Sequence, residues 1–150
     1  MDDLIRRLNE AGARYAVIGG QAMRLHGMPR FSMDWDLLIP PRDLANLELL
    51  NRVLGSEVDM PIVALGPLGE NLVQTYQTSQ GVIQFHLGVP GLLSYEEVEQ
   101  ETVELRTETG TSVRCLWRNA FLRSKLAANR QRDQDDIVFL QERKKADDLR

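Results

Sequence analysis

Asp34 and Asp36 are the residues best suited by type and spacing to do chemistry. One residue apart on an extended segment, their carboxylates leave the same face, roughly 6–7 Å apart along the chain. Like charges at that distance repel by about 2–3 kcal/mol at an effective dielectric near 20. A divalent cation relieves the repulsion, and an oxygen-only pair suits Mg²⁺, which keeps several waters and binds substrate phosphates. Taken alone, the same pair is also an ordinary couple of surface aspartates on an edge strand. Upstream, Gly19 and Gly20 follow a short apolar run. Adjacent glycines let the backbone turn sharply and approach a ligand with no Cβ in the way. A helix starting there would aim free N–H groups at an anion.

These residues need elements to hold them. Leu4, Ile5, Leu8 and Ala11 share one helical stripe, with Asp2 and Asp3 in the first turn and Gly12 as the stop. Tyr15 to Ile18 reads as a strand covered on both faces. Gln21 to His26 has the composition of a short helix ended by Gly27, with His26 as a packing or capping residue. Met33 to Ile39 reads as a second strand, closed by Pro40 and Pro41. In it Trp35 points to the layer opposite the two aspartates. Asp43 to Leu54 spaces Leu44, Leu47, Leu50 and Leu54 as an amphipathic helix. Short strands are expected over Pro61–Leu65, Leu72–Gln77 and Val82–Leu87. Ser94 is expected to cap a brief helix carrying Glu96 and Glu97. Val103–Arg106 and Ser112–Trp117 should form a hairpin about Thr109-Gly110-Thr111, with Val113, Cys115 and Trp117 on one face. Asn119 to Arg150 reads as two helices whose end, from about residue 142, is a solvated, fraying tail. Loosely alternating strands and helices predict one α/β or α+β domain, a mixed β-sheet flanked by helices.

Bulk properties set the class. A chain of 150 residues holds one domain with a real core, and 43% hydrophobic with 27% charged residues is ordinary for a globular protein. The net charge of −4 argues against a surface built to grip duplex DNA or anionic membrane. Cys115 is the single cysteine, which precludes an intrachain disulfide and suits a core position. No apolar run approaches the roughly 20 residues of a membrane span, so a cytoplasmic protein is the expectation.

The stretch YAVIGGQAMRLHGMPRFSMDWDLLI is closely similar to the signature of the minimal nucleotidyltransferase fold, the DNA polymerase β-like superfamily. The bacterial toxin- and antitoxin-associated branch carries a Gly-Gly turn, a short helix ending in His-Gly, an Arg, a Ser or Thr, then Asp-x-Asp. Here these are Gly19, Gly20, His26, Gly27, Arg30, Ser32, Asp34 and Asp36. A second block, SKLAANRQRDQDDIVFL, resembles the C-terminal helices of the family and maps onto Lys125, Arg130, Arg132, Asp133 and Asp136. The resemblance implies that Gly19 and Gly20 hold a triphosphate and that Asp34 and Asp36 hold two Mg²⁺ ions. An acceptor hydroxyl would then attack the α-phosphate of an NTP and release pyrophosphate. Arg30 and Lys125 are each either a phosphate contact or an ordinary solvated cation. Arg130 with Asp133 or Asp136 reads as a structural ion pair joining the last two helices.

One position departs from the pattern. Active members add a third carboxylate from a later strand, and Val82-Ile83-Gln84-Phe85-His86-Leu87 puts Gln84 there. Gln offers a carbonyl oxygen but neither a base nor a negative charge. His86 shares the face of Gln84, as a helper or as a hydrogen-bonded wall residue. Glu57 and Asp59 are further carboxylates in an expected loop. Three functions therefore stand open: an Mg-dependent enzyme passing NMP to a protein, an RNA end or a small molecule; a weakened relative that binds a nucleotide or partner and regulates; and a scaffold. The short chain lacks the acceptor-binding half of antibiotic-modifying relatives, so a partner protein or a homo-oligomer is expected to supply that surface.

Overall fold

A computed structural model describes residues 1–92 and 94–149. Among them the chain forms helices α1 (Asp2–Ala11), α2 (Gly19–Leu25), α3 (Leu44–Leu54), α4 (Tyr95–Gln100), α5 (Arg118–Ala128) and α6 (Gln134–Asp148). The strands are β1 (Ala16–Ile18), β2 (Asp34–Leu38), β3 (Val73–Thr78), β4 (Gly81–His86), β5 (Thr102–Arg106) and β6 (Ser112–Leu116). They make one mixed sheet in the order β3-β4-β2-β1-β6-β5. The central β1 lies antiparallel to β2 and parallel to β6, while β2 and β4 run parallel.

Helix α1 closes as its sequence requires. Gly12 takes the left-handed conformation (φ 76°), and its N–H and that of Ala13 return to the carbonyls of Asn9 and Leu8. Leu4, Ile5 and Leu8 are fully buried, each stabilising the fold by about 1.5–3 kcal/mol. All of β1 is buried, as a central strand covered on both faces must be. In β4, Ile83 and Phe85 are buried while Gln84 and His86 are half-buried, so one face of the sheet feeds the core and the other carries polar groups. The apolar residues join Leu47, Leu50 and Leu54 of α3 in one continuous core. Asp43 caps α3 by accepting from the Asn46 N–H, and Ser94 caps α4 by accepting from the Glu97 N–H. Val113 and Cys115 are fully buried, and burial pushes the Cys115 thiol up to about 12.

Several elements differ from expectation. Pro61–Leu65 is not a strand, because side chains take up its backbone groups: Asn51 both donates to the Ile62 carbonyl and accepts from its N–H, and Gln74 does the same for Val63. Leu44 opens α3 facing solvent, leaving Leu47, Leu50 and Leu54 as the apolar stripe. Trp117 lies just past β6 and caps α5. The charged end beyond residue 142, expected to fray, is helical through Asp148 and largely exposed, with Arg118 3.0 Å from Asp147. Arg150 lies outside the described residues. No helix among the described residues is long and apolar enough to cross a membrane.

Candidate functional site

Register decides the site. Ile18, the last residue of β1, pairs with Asp36, so the chain leaves β1 at Gly19 directly beside that carboxylate. Gly19 has φ 71°, and a Cβ there would overlap Asp36 Oδ2. A Cβ on Gly20 would lie 2.6 Å from Ser32 Oγ. Gly19 is thus required by both its left-handed turn and close approach, and Gly20 by close approach alone. The 27–33 loop is pinned over them: Gln21 Nε2 donates to the Ser32 carbonyl at 2.9 Å, and Ser32 Oγ donates to the Asp34 carbonyl at 3.3 Å.

On the other side of β2, the parallel pairing sets Asp36 opposite Gln84 and Leu38 opposite His86. Asp34, Asp36, Gln84 and His86 therefore open into one cleft of about 810 Å³. His86 Nε2 lies 2.8 Å from Asp36 Oδ1, the two side chains 20% and 17% exposed. His86 is thus tied to the acidic pair itself. His26, by contrast, is buried away from this chemistry. Its Nε2 donates to the Leu116 carbonyl at 2.8 Å, its ring packs edge-on against Trp117 and Phe121, and burial lowers its pKa.

The cleft's far wall comes from α5, α6 and the 3₁₀ turn Gln131–Asp133 between them. There two nearly buried carboxylates collect three cations. Asp136 accepts from Arg30 Nη1 on both oxygens, at 2.6 and 2.8 Å, and lies 3.0 Å from Lys125 Nζ. Asp133 accepts from Lys125 at 3.2 Å and from Arg130 Nε at 2.7 Å. Burial alone would raise the pKa of Asp133, but the hydrogen bonds from Arg130 and Lys125 outweigh it and hold it below the usual carboxylate value. Arg30 and Lys125, expected to be either phosphate contacts or solvated cations, line the cleft with their charges matched by these acids. Arg130 pairs with Asp133 as read from the sequence. Arg132 lines the same cleft with no carboxylate within 4.0 Å among the described residues. Glu57 is elsewhere, holding Ser79 at the β3–β4 turn through its N–H and hydroxyl.

The cleft carries two sets of charge, the paired aspartates Asp34 and Asp36 and a wall in which Arg30, Lys125, Arg130 and Arg132 outnumber Asp133 and Asp136. Among the described residues no three His, Cys, Asp or Glu side chains group to enclose a metal ion. The available donors are the carboxylates of Asp34 and Asp36, with the Gln84 amide alongside. That set matches one hard divalent cation completing its shell with water and phosphate oxygen. It is short of the two-ion set that the resemblance implies.

What sequence reasoning missed is the near edge. Met33, Leu72, Val73, Val89 and Pro90 give the cleft an apolar lip, in which Met33 is 71% exposed. Leu72 and Val73 fall at the start of an expected strand and Val89 and Pro90 in a loop, and nothing in their spacing tied them to Met33 or to the aspartates.

No protein-family model and no curated protein sequence matches this chain. Among solved structures it is similar to a Thermotoga maritima protein provisionally described as a nucleotidyltransferase. The two share a TM-score of 0.67 at 13% identity, over 93% of this chain and 89% of that one. At that identity the likeness is one of fold: the chain is an α+β domain of nucleotidyltransferase-like architecture, its mixed sheet flanked by helices that include the two at its C-terminal end.

Proposed function

We propose that the cleft binds a nucleoside triphosphate with Mg²⁺ and that the protein transfers the NMP group to a hydroxyl acceptor. The observation that carries this reading is the fit of Gly19 against Asp36, which puts the paired carboxylates beside a backbone stretch without side chains. In this reading Gly19 and Gly20 give the triphosphate room to approach the backbone. Asp34 and Asp36 hold Mg²⁺, which when bound neutralises charge on the phosphates. Arg132 and the unused donors of Arg30 and Lys125 meet the phosphate end. Asp133 and Asp136 hold Arg30 and Lys125 in place, and Met33, Leu72 and Val73 keep water from one side of the nucleotide. Ser32 fixes the loop above the glycines. The acceptor is a protein, an RNA end or a small molecule, and a partner protein or second copy supplies the surface that presents it.

Gln84 supports a second reading. Set directly opposite Asp36, it brings no negative charge where active relatives carry a carboxylate. A weakened relative would bind nucleotide or a partner and regulate, as one member of a toxin–antitoxin pair would. Incubating the protein with Mg²⁺, cell extract and each labelled NTP separates the two. The transferase reading expects a labelled acceptor, lost in the Asp34→Asn, Asp36→Asn double variant. Nucleotide binding without labelling favours the regulator, and absence of both sinks the nucleotide reading.

A further inference from the structure

The groups around Asp36 bear on how many ions the cleft can take. Asp36 Oδ1 already receives the Nε2–H of His86 at 2.8 Å, and Oδ2 lies in the space that a Cβ on Gly19 would take. An ionised carboxylate offers about two acceptor directions on each oxygen, so the His86 bond leaves both oxygens of Asp36 open to a cation. A two-ion centre, with ions about 3.5–4 Å apart, needs a further anionic ligand on the far side of the bridging carboxylate. The position facing Asp36 across the β2–β4 ladder is Gln84, which is neutral. Lining the same cleft are Arg30, Lys125, Arg130 and Arg132, matched among the described residues by Asp133 and Asp136. A second divalent ion would meet a surplus of positive charge with no carboxylate of its own.

We infer that this is a one-ion nucleotide site: a single divalent cation, held by Asp34 and Asp36, enters with each nucleotide, and Gln84 is the residue that keeps the second out. This rests on the nucleotide reading above and restricts it. One ion leaves the acidic end neutral, and the triphosphate then faces the cationic wall without a second metal between them.

Mn²⁺ reports the stoichiometry without turnover. The protein is mixed with α,β-methylene-ATP, whose α–β bridge resists transfer, and titrated with Mn²⁺. Equilibrium dialysis then counts bound ions per bound nucleotide, and electron paramagnetic resonance reads their coupling. The expected result is one Mn²⁺ per nucleotide with an uncoupled six-line spectrum. Gln84→Asp should raise the ratio to two and broaden the spectrum by spin coupling; Gln84→Glu provides a second carboxylate variant should Gln84→Asp fold poorly. Two coupled ions in the unaltered protein overturn the inference while leaving nucleotide binding intact. One ion in both carboxylate variants overturns the role given to Gln84. Failure to bind the nucleotide at all overturns the reading beneath it, and is recognised by the absence of bound nucleotide rather than by the metal count.

Discussion

Replacing Asp136 by Asn tests whether the ion chain behind the cleft holds the fold as the geometry suggests. The Asp136 side chain is 3% exposed and is the shared acceptor of Arg30, through two contacts, and of Lys125. Removing one member of a buried ion pair costs about 3–5 kcal/mol when a charge is left unmatched. Here the loss is cushioned: Lys125 keeps Asp133 at 3.2 Å, and Arg30, 35% exposed, regains water. Asn also retains one acceptor oxygen and nearly the same volume. The expected cost is therefore below that range, about 2–3 kcal/mol. At about 2–4 °C per kcal/mol for a chain of this size, Tm falls by about 4–12 °C. Urea and thermal melts followed by circular dichroism measure it. A parallel Arg30→Met variant and the double variant give the coupling, expected above about 0.5 kcal/mol for side chains in direct contact. A loss under about 1 kcal/mol, or strict additivity, would refute the claim that Asp136 organises these cations.

Gly19→Ala should fold with reduced stability and bind divalent ions more weakly. The residue at φ 71° costs about 1–2 kcal/mol with a side chain, and the new Cβ displaces the Asp36 carboxylate from His86. Gly12→Ala is the control, since φ 76° imposes the same backbone penalty in open space; Mn²⁺ binding weakened about tenfold in the first variant only is the expected result, and equal binding in both would contradict it. Acid should destabilise the protein in two stages. Burial lowers the His26 pKa from 6.5, so below that pH the unfolded chain binds a proton the folded chain resists, and stability begins to fall. The pKa values of Asp43, Glu99 and Asp133 are also lowered, by the Asn46 N–H and Arg14, by Arg14, and by Arg130 and Lys125 against burial. Their stabilisation is complete above ordinary values of 3.8 to 4.5 and is lost as pH drops through the folded values, so Tm should fall more steeply there. A Tm constant from pH 7 to pH 3 would show those contacts to be worth nothing.

The parts legible in the sequence were those governed by local rules. Gly12, Asp43 and Ser94 end or begin helices because their own backbone or side chain satisfies the terminus. The spacing of Asp34 and Asp36 sets them on one face whatever lies beside β2. The bond between Asp36 and His86 was not legible, because it depends on β2 and β4 pairing in parallel and in one particular register. His86 and Gln84 could be put on the same face, but not against a given partner. Pro61–Leu65 misled for a related reason: the run is extended, yet its hydrogen bonds go to Asn51 and Gln74, each eleven residues away. Leu44 fits the spacing of a buried stripe, but it sits at the first position of α3 and is exposed. The fate of Lys125 and Arg30 was left open because a cation near a phosphate site and a cation in an ion chain have the same local sequence.

The link from Arg30 to Asp136 joins residues 106 positions apart. During synthesis, a ribosome releasing the chain from its N-terminal end exposes β1, the glycine turn and the paired aspartates long before α6 exists. Over that interval Arg30 has no Asp136 to hold it, and the cationic wall opposite Asp34 and Asp36 is unbuilt. Nascent protein therefore carries both aspartates before the α5–α6 wall of the cleft exists, and that wall is completed only when the last helix emerges.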